Sequence, residues 1–203
     1  MHSNPAYRSD DQAAGVEFAR QRGFGIMVVT GPEGVLVSHL PFVIDGNALD
    51  AHIPRNNPIG RLLRDGPATA MMIVSGPDGY VSPDWYAAEE QVPTWNYVAV
   101  HLHGQVELRP PETLRAHIDD LSEQFETRLL PKKPWTLDKN TEEGTARLMR
   151  VLLPIRMTFD RLEQTWKLNQ TKSEDQRLGA AAGLEADGFG HEVADLVRYM
   201  RDV

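Results

Sequence analysis

The stretch VLVSHLPFVIDGNALDAHI, residues 35–53, decides the architecture. Val35–Ile44 reads as a strand, Asp45-Gly46 as a tight hairpin turn, and Ala48–Ile53 as the returning strand. Strands joined by so short a turn pair antiparallel, which makes the layout a meander and not a strand–helix–strand unit. On the N-terminal side, FGIMVVT at Phe24–Thr30 predicts another strand, closed by turn residues at 31–34. Before it, Ser9, Asp10 and Asp11 offer caps for a helix that carries Ala13, Val16 and Ala19 on one face and ends at Gly23.

On the C-terminal side, Pro54–Pro58 leads into a short helix capped by Asn57, with Pro58 in its first position and Ile59, Leu62 and Leu63 inward. ATAMMIVS at Ala68–Ser75 predicts a strand, and Gly76–Gly79 predicts a turn after it. Thr94–Leu108 is long enough for one extended strand. Leu114, Ile118, Leu121, Phe125 and Leu129 then recur at helical spacing. A loop over Pro131–Asn140 and a short helix near Thr141–Arg150 follow. Ile155, Met157 and Phe159 alternate with Arg156, Thr158 and Asp160 in a strand that extends towards Leu168. Ser173–Val203 reads as helical, with an Ala/Gly-rich break near Ala180–Gly190. The expected fold class is α+β: an antiparallel β domain over 1–203, with peripheral helices and a helical C-terminal extension from about residue 173.

Composition narrows the function. A chain of 203 residues suits one sizeable domain. It has no cysteine, so disulfides and thiolate metal sites are excluded. No apolar run reaches the roughly 20 residues of a membrane span, and no signal-peptide pattern opens the chain, so the cytoplasm is the expected compartment. The net charge of −8 disfavours broad binding to a phosphate backbone. Gly76–Val100 concentrates aromatic residues, Trp85 and Trp95 among them, in a chain that is 7% aromatic. That density suggests a flat partner or a subunit interface.

Five motifs occur in order: SHLPF at Ser38–Phe42, HIPRNNP at His52–Pro58, GYVSPDWY at Gly79–Tyr86, VPTWNYVAVHLHG at Val92–Gly104 and TWKLNQTK at Thr165–Lys172. Together they resemble the FMN-binding negative transcriptional regulator family of the PaiB type, over most of the chain. The resemblance implies a split β-barrel like that of pyridoxamine-phosphate oxidases, and a homodimer with FMN at the subunit interface.

The residues can be weighed beside that expectation. At the strand-to-helix junction, Arg55, Asn56 and Asn57 suit a phosphate, with Arg61 one turn on, although Asn57 and Pro58 also suffice as a plain cap. Ser38 and His39, in the run that continues through Leu40 and Pro41, offer polar groups for the flavin edge together with His52, and each histidine can equally be a packed or surface residue. Thr94, Trp95 and Asn96 combine hydroxyl, aromatic and amide groups, with core packing as the alternative. Carried over from the family, Trp166 sits against the ring of the other subunit's flavin, with Lys167 and Gln170 near its polar atoms. The alternative is an edge-strand lysine and an interface tryptophan. His101 and His103 share a strand face without an evident carboxylate partner, so no metal site is expected and packed histidines are the simpler reading. Gly79–Tyr86 is expected to be a turn that packs in the dimer.

No residue marks a catalytic group. Three readings stand: a flavin-binding regulator, a flavin-dependent oxidoreductase acting on a small molecule, or a binder of another planar ligand such as haem, with His39 or His52 nearby. For direct DNA binding, the C-terminal helices carry Arg177, Arg198 and Arg201 against a larger number of acids, without a basic recognition helix.

Overall fold

Asp45 pairs with Ala48 and Phe42 with Ala51, so β2 (Gly34–Asp45) and β3 (Ala48–Pro54) form the hairpin that the Asp-Gly turn demands. The computed structural model describes residues 1–32 and 34–203; Glu33, in the turn expected at 31–34, lies outside the described residues. Helix α1 (Gln12–Arg22) precedes β1 (Phe24–Gly31). After β3 come α2 (Pro58–Leu62), β4 (Ala68–Val81), β5 (Thr94–Leu108), α3 (Leu114–Glu126), α4 (Glu142–Val151) and β6 (Leu152–Lys167). The chain ends with α5 (Glu174–Asp187), β7 (Gly190–His191) and α6 (Val193–Asp202).

The strands are ordered β1-β2-β3-β6-β5-β4-β7, and β1 also pairs with β4, so the first six close into a ring. Closure removes the free edges that an open sheet would leave. The result is an α+β fold of the split-barrel type.

The described residues divide into two compact units. The larger comprises Glu17–Ile73 and Leu102–Leu162. In it β1 pairs with β2 from Phe24 opposite Pro41 to Gly31 opposite Gly34, and β3 pairs with β6, Leu49 opposite Met157 and Ala51 opposite Ile155. Strand alternation sends Met27, Val29, Phe42, Leu49, Ala51, Met72, Ile155 and Met157 inward to full burial. Each large side chain so buried contributes on the order of 1.5–3 kcal/mol. Leu114, Ile118 and Leu137 form a satellite core with Trp135 and Leu148, the packing that the helical stripe on α3 requires.

The smaller unit comprises Met1–Val16, Val74–His101 and Glu163–Val203. Here Gly76–Gly79 is not a turn: β4 runs straight through it, and Asp78 and Gly79 pair with His191 and Gly190. A Cβ on Gly79 would stand 3.0 Å from Leu184 of α5 and from Leu196 of α6, so this glycine admits two helices and does not bend the chain. The break expected near Ala180–Gly190 is also shorter. α5 continues to Asp187 because Ala180 and Ala181 are buried in its contact face. Gly183 lies under the Trp85 ring, where a Cβ would come within 2.3 Å of the indole. Trp85, expected to pack in a dimer, therefore packs on α5 of its own chain. A capping box of Ser173 and Gln176 starts that helix.

Candidate flavin-binding residues

In the larger unit, the predicted phosphate residues form one hydrogen-bonded group. Asn57 caps α2: its Oδ1 accepts from Ile59 N at 2.9 Å, and its Nδ2 donates to Ser38 Oγ at 3.2 Å. Arg61 donates to the carbonyl oxygen of Asn56 at 3.2 Å. Arg55 donates through Nε to the Arg150 carbonyl at 2.8 Å and through Nη2 to that of Leu152 at 3.5 Å. α2 has only five residues, and its cap side chain already occupies a free N–H, so the helix end contributes little attraction for an anion. The charge is on the arginines. Both are exposed, bond only to carbonyl oxygens, and lack a carboxylate partner among the described residues.

Alternation divides the SHLPF run. Ser38 and Leu40 share the inward face, Leu40 being 2% exposed, whereas His39 is exposed on the other face with Pro41 half-buried beside it. His39 stands opposite Ile26, and Pro41 opposite Phe24. Leu40 is therefore a core residue, and the four neighbours do not present one set of side chains. His52 lies elsewhere, its Nδ1 bonded to Nε2 of His117 on α3 at 3.0 Å. Burial lowers the pKa of His52. It drives that of His117 down to about 4, with the charge of His52 adding to the effect and Asp50 opposing it. His117 escaped the sequence reading although its spacing between Leu114 and Ile118 places it on the buried stripe of α3.

In the smaller unit, Lys167 at the end of β6 donates from Nζ to Thr94 Oγ1 at the start of β5. Its ammonium also stands 5.8 Å from the centre of the Tyr7 ring. Loss of water lowers the Lys167 pKa. No carboxylate pairs with it among the described residues. Asn96 is fully buried; its Nδ2 faces Met200 Sδ at 3.4 Å, and its Oδ1 has no protein partner.

Trp166 donates to Gln164 Oε1 at 2.8 Å and lies edge-on to Tyr199 at 5.5 Å. Gln164, which sequence reading did not single out, donates onward to the carbonyls of Ser9 and Asp11 at 3.0 and 2.8 Å. Gln170 is committed to its own turn, accepting from Leu168 N at 2.8 Å and donating to the carbonyls of Trp166 and Ala6 at 2.5 and 3.1 Å. Asn169, at a positive φ of 64°, completes that turn and accepts from Tyr86 Oη at 3.3 Å.

Trp95 is 45% exposed and meets Tyr80 and Phe189 edge-on, while those two rings stack at 5.3 Å. The aromatic block is thus an outward cluster at Trp95 and a packed element at Trp85. His101 does have an acid nearby: a carboxylate oxygen of Glu163 lies within 4.8 Å of its ring nitrogen.

Residues 1–161 match the family described as "Putative FMN-binding domain". The chain belongs to that family. Among relatives of this FMN-binding protein is protease synthase and sporulation protein PAI 2 of Bacillus subtilis, 24% identical over 172 residues that cover 83% of this chain and 81% of that one. The fold is shared with the FAD and haem binding protein of Mycobacterium smegmatis (TM-score 0.60, 16% identity, 91% of this chain and 82% of that one). It is also shared with the flavocytochrome Anf3 of Azotobacter vinelandii (TM-score 0.58, 10% identity, 94% and 80%). FMN is the cofactor. Taken unit by unit, the exposed arginines of the larger unit, which lack carboxylate partners among the described residues, have the chemistry a phosphate needs, and the half-buried Lys167 ammonium of the smaller unit has that of a partner for an electron-rich polar group. No helix among the described residues is long and apolar enough to cross a membrane.

Proposed function

We propose that the protein is a cytoplasmic homodimer that holds FMN as a regulator of the PaiB type and does not itself read DNA. The observation that carries the cofactor part is Lys167, a half-buried cation bonded to Thr94 and lacking an acid to neutralise it. Burying a charge without a partner is costly, so such a group implies a ligand that completes it. In the smaller unit Lys167 with Thr94 then serves polar atoms of the flavin; in the larger unit Arg55 and Arg61 are the groups suited to a phosphate. Bound FMN would supply redox chemistry through its ring, while these residues bind and orient it.

The homodimer rests on the outer face of β2, β1 and β4. Phe24, Val35 and Val37 are 53%, 64% and 55% exposed there. Val28 lies between Val37 and Met71 on that face, and Ile26 between His39 and Ile73. A contiguous apolar sheet face of this kind marks an interaction surface. A second copy would bury it isologously.

Direct DNA contact is disfavoured because the C-terminal arginines are engaged. Arg177 donates to the Met200 carbonyl, Arg198 pairs with Asp195, and Arg201 pairs with Glu185. The test is a spectrophotometric titration with FMN, paired with a promoter gel shift and an NAD(P)H turnover assay. Failure to bind FMN removes the reading. A salt-dependent shift by the protein alone overturns the indirect role, and turnover replaces the regulator with an oxidoreductase.

A further inference from the structure

The larger unit holds a polar cavity of about 170 Å³ between α3 and the strands β3 and β6. Arg109, Asp120, His117, Asp50, Arg156 and Ile155 are among its walls. The charges there fall into two sets. Arg156 and Asp50 are closed on each other by a bidentate pair at 2.7 and 2.5 Å, so neither is available. Arg109 and Asp120 are different: they line the same cavity with opposite charges, yet neither forms an ion pair or side-chain hydrogen bond among the described residues. Where opposite charges on this helix reach each other they do pair, as Arg115 does with Asp119 and Asp138 at 2.9 Å each.

The frame around them is fixed. The main-chain N–H of Arg109 donates to the Pro154 carbonyl at 2.9 Å. Thr113 Oγ1 donates to the Pro110 carbonyl at 2.7 Å, holding the entry to α3. His117, only 6% exposed, adds a ring Nδ1 without a protein partner.

We propose that this cavity binds a small zwitterion of the α-amino-acid class. Its carboxylate would meet the Arg109 fork, its ammonium would meet Asp120, and its side chain would lie against Ala116 and Pro154, which also line the cavity. Size sets the class. Pockets for drug-sized ligands run to about 300–1,000 Å³, so this one admits an amino acid and excludes a flavin or a nucleotide. Charge sets the rest, since a plain carboxylic acid would leave Asp120 unanswered and a plain amine would leave Arg109 so. The site is separate from the residues assigned to FMN and stands or falls independently of them.

The experiment is isothermal titration of the full-length, FMN-supplemented protein with each of the twenty common L-amino acids. The carboxylic acid and the amine corresponding to any binder are titrated next. At least one amino acid is expected to bind with a Kd of about 1 mM or tighter, and its acid and amine analogues about tenfold or more weakly. Arg109→Gln and Asp120→Asn should each weaken binding by about tenfold while FMN affinity and the thermal midpoint stay unchanged. Absence of binding by all twenty at about 10 mM overturns the proposal. So does equal binding of an acid or amine alone, or binding indifferent to both substitutions. Should either variant fail to fold, Arg109→Lys keeps the charge but loses the fork, and undiminished affinity in it rejects the carboxylate role.

Discussion

Acidification should weaken the fold through His117, and the size of the effect follows from the structure. His117 is 6% exposed, bonded to His52 and held neutral, with a pKa of about 4 against 6.5 in an open chain. Native His117 stays unprotonated as the pH falls below 6.5, whereas in the unfolded chain it takes up a proton. The folded-state pKa is depressed, so this contribution is intact above pH 6.5 and is lost progressively as the pH falls towards about 4. For His117 alone the loss is about 2 kcal/mol by pH 5 and on the order of 3 kcal/mol by pH 4. His52, lowered by burial, acts in the same direction. Against a total stability of about 5–15 kcal/mol this is a large share. Urea unfolding at pH 7, 6 and 5, followed by tryptophan fluorescence, measures it. Glu17, lowered by its hydrogen bonds from Gln21 and then Arg20, and Glu126 and Glu185, lowered first by those from Lys132 and Arg201, also lose stability in acid. They are common to wild type and His117→Gln, so the difference between the two isolates the histidine. The variant should start less stable at pH 7 but show a slope flatter by about 2 kcal/mol between pH 7 and 5. Parallel slopes would refute the reasoning.

Arg55→Ala should weaken FMN by about tenfold and leave riboflavin nearly unaffected, because only FMN carries the phosphate; equal losses in fluorescence titrations place Arg55 elsewhere. Lys167→Met, by contrast, should weaken both flavins alike by about tenfold, and a loss confined to FMN would move Lys167 to the phosphate. Val35→Glu with Val37→Glu should yield a monomer in analytical ultracentrifugation, and a persistent dimer would exclude the β1–β2 face as the interface. Gly183→Ala should cost about 1–3 kcal/mol in urea unfolding as the new methyl meets Trp85, and an unchanged midpoint would mean that the indole moves aside freely.

What was legible in the sequence was local. The Asp-Gly hairpin, the Asn57 cap before Pro58, the stripe of α3 and the full extent of β5 each follow from backbone preference or a periodicity of a few residues. The misreadings share one cause, a residue whose reason lies far along the chain. Gly76–Gly79 has the composition of a turn, but Gly79 is small for the sake of Leu184 and Leu196, more than a hundred residues later. Gly183 likewise answers to Trp85 and not to a helix break. His52 read as one of several polar groups on a strand, and its partner His117 sits on a helix whose pattern announced only apolar contacts. Gln164 and Asn169 carry no motif; their amides matter because of which carbonyl or hydroxyl the fold brings to them.

The electrostatics argue for a cofactor more firmly than the aromatic block does. With 29 acidic residues to 21 basic ones, carboxylates are plentiful, and several arginines on this surface have found one. Lys167 has not, although it has lost water and its nearest groups are a hydroxyl and an aromatic face. Replacing it with an uncharged residue of similar shape would remove that burden from the free protein. Lys167→Met should therefore raise the stability of the flavin-free protein by a fraction of the cost of a half-buried charge, about 0.5–1 kcal/mol, while lowering that of the flavin-loaded protein. Unfolding of both forms in urea, with and without saturating FMN, gives the sign of each change. A substitution that destabilises both forms equally would make Lys167 a structural residue, held for Thr94 and Tyr7 alone. Opposite signs are what a lysine kept for its ligand must show.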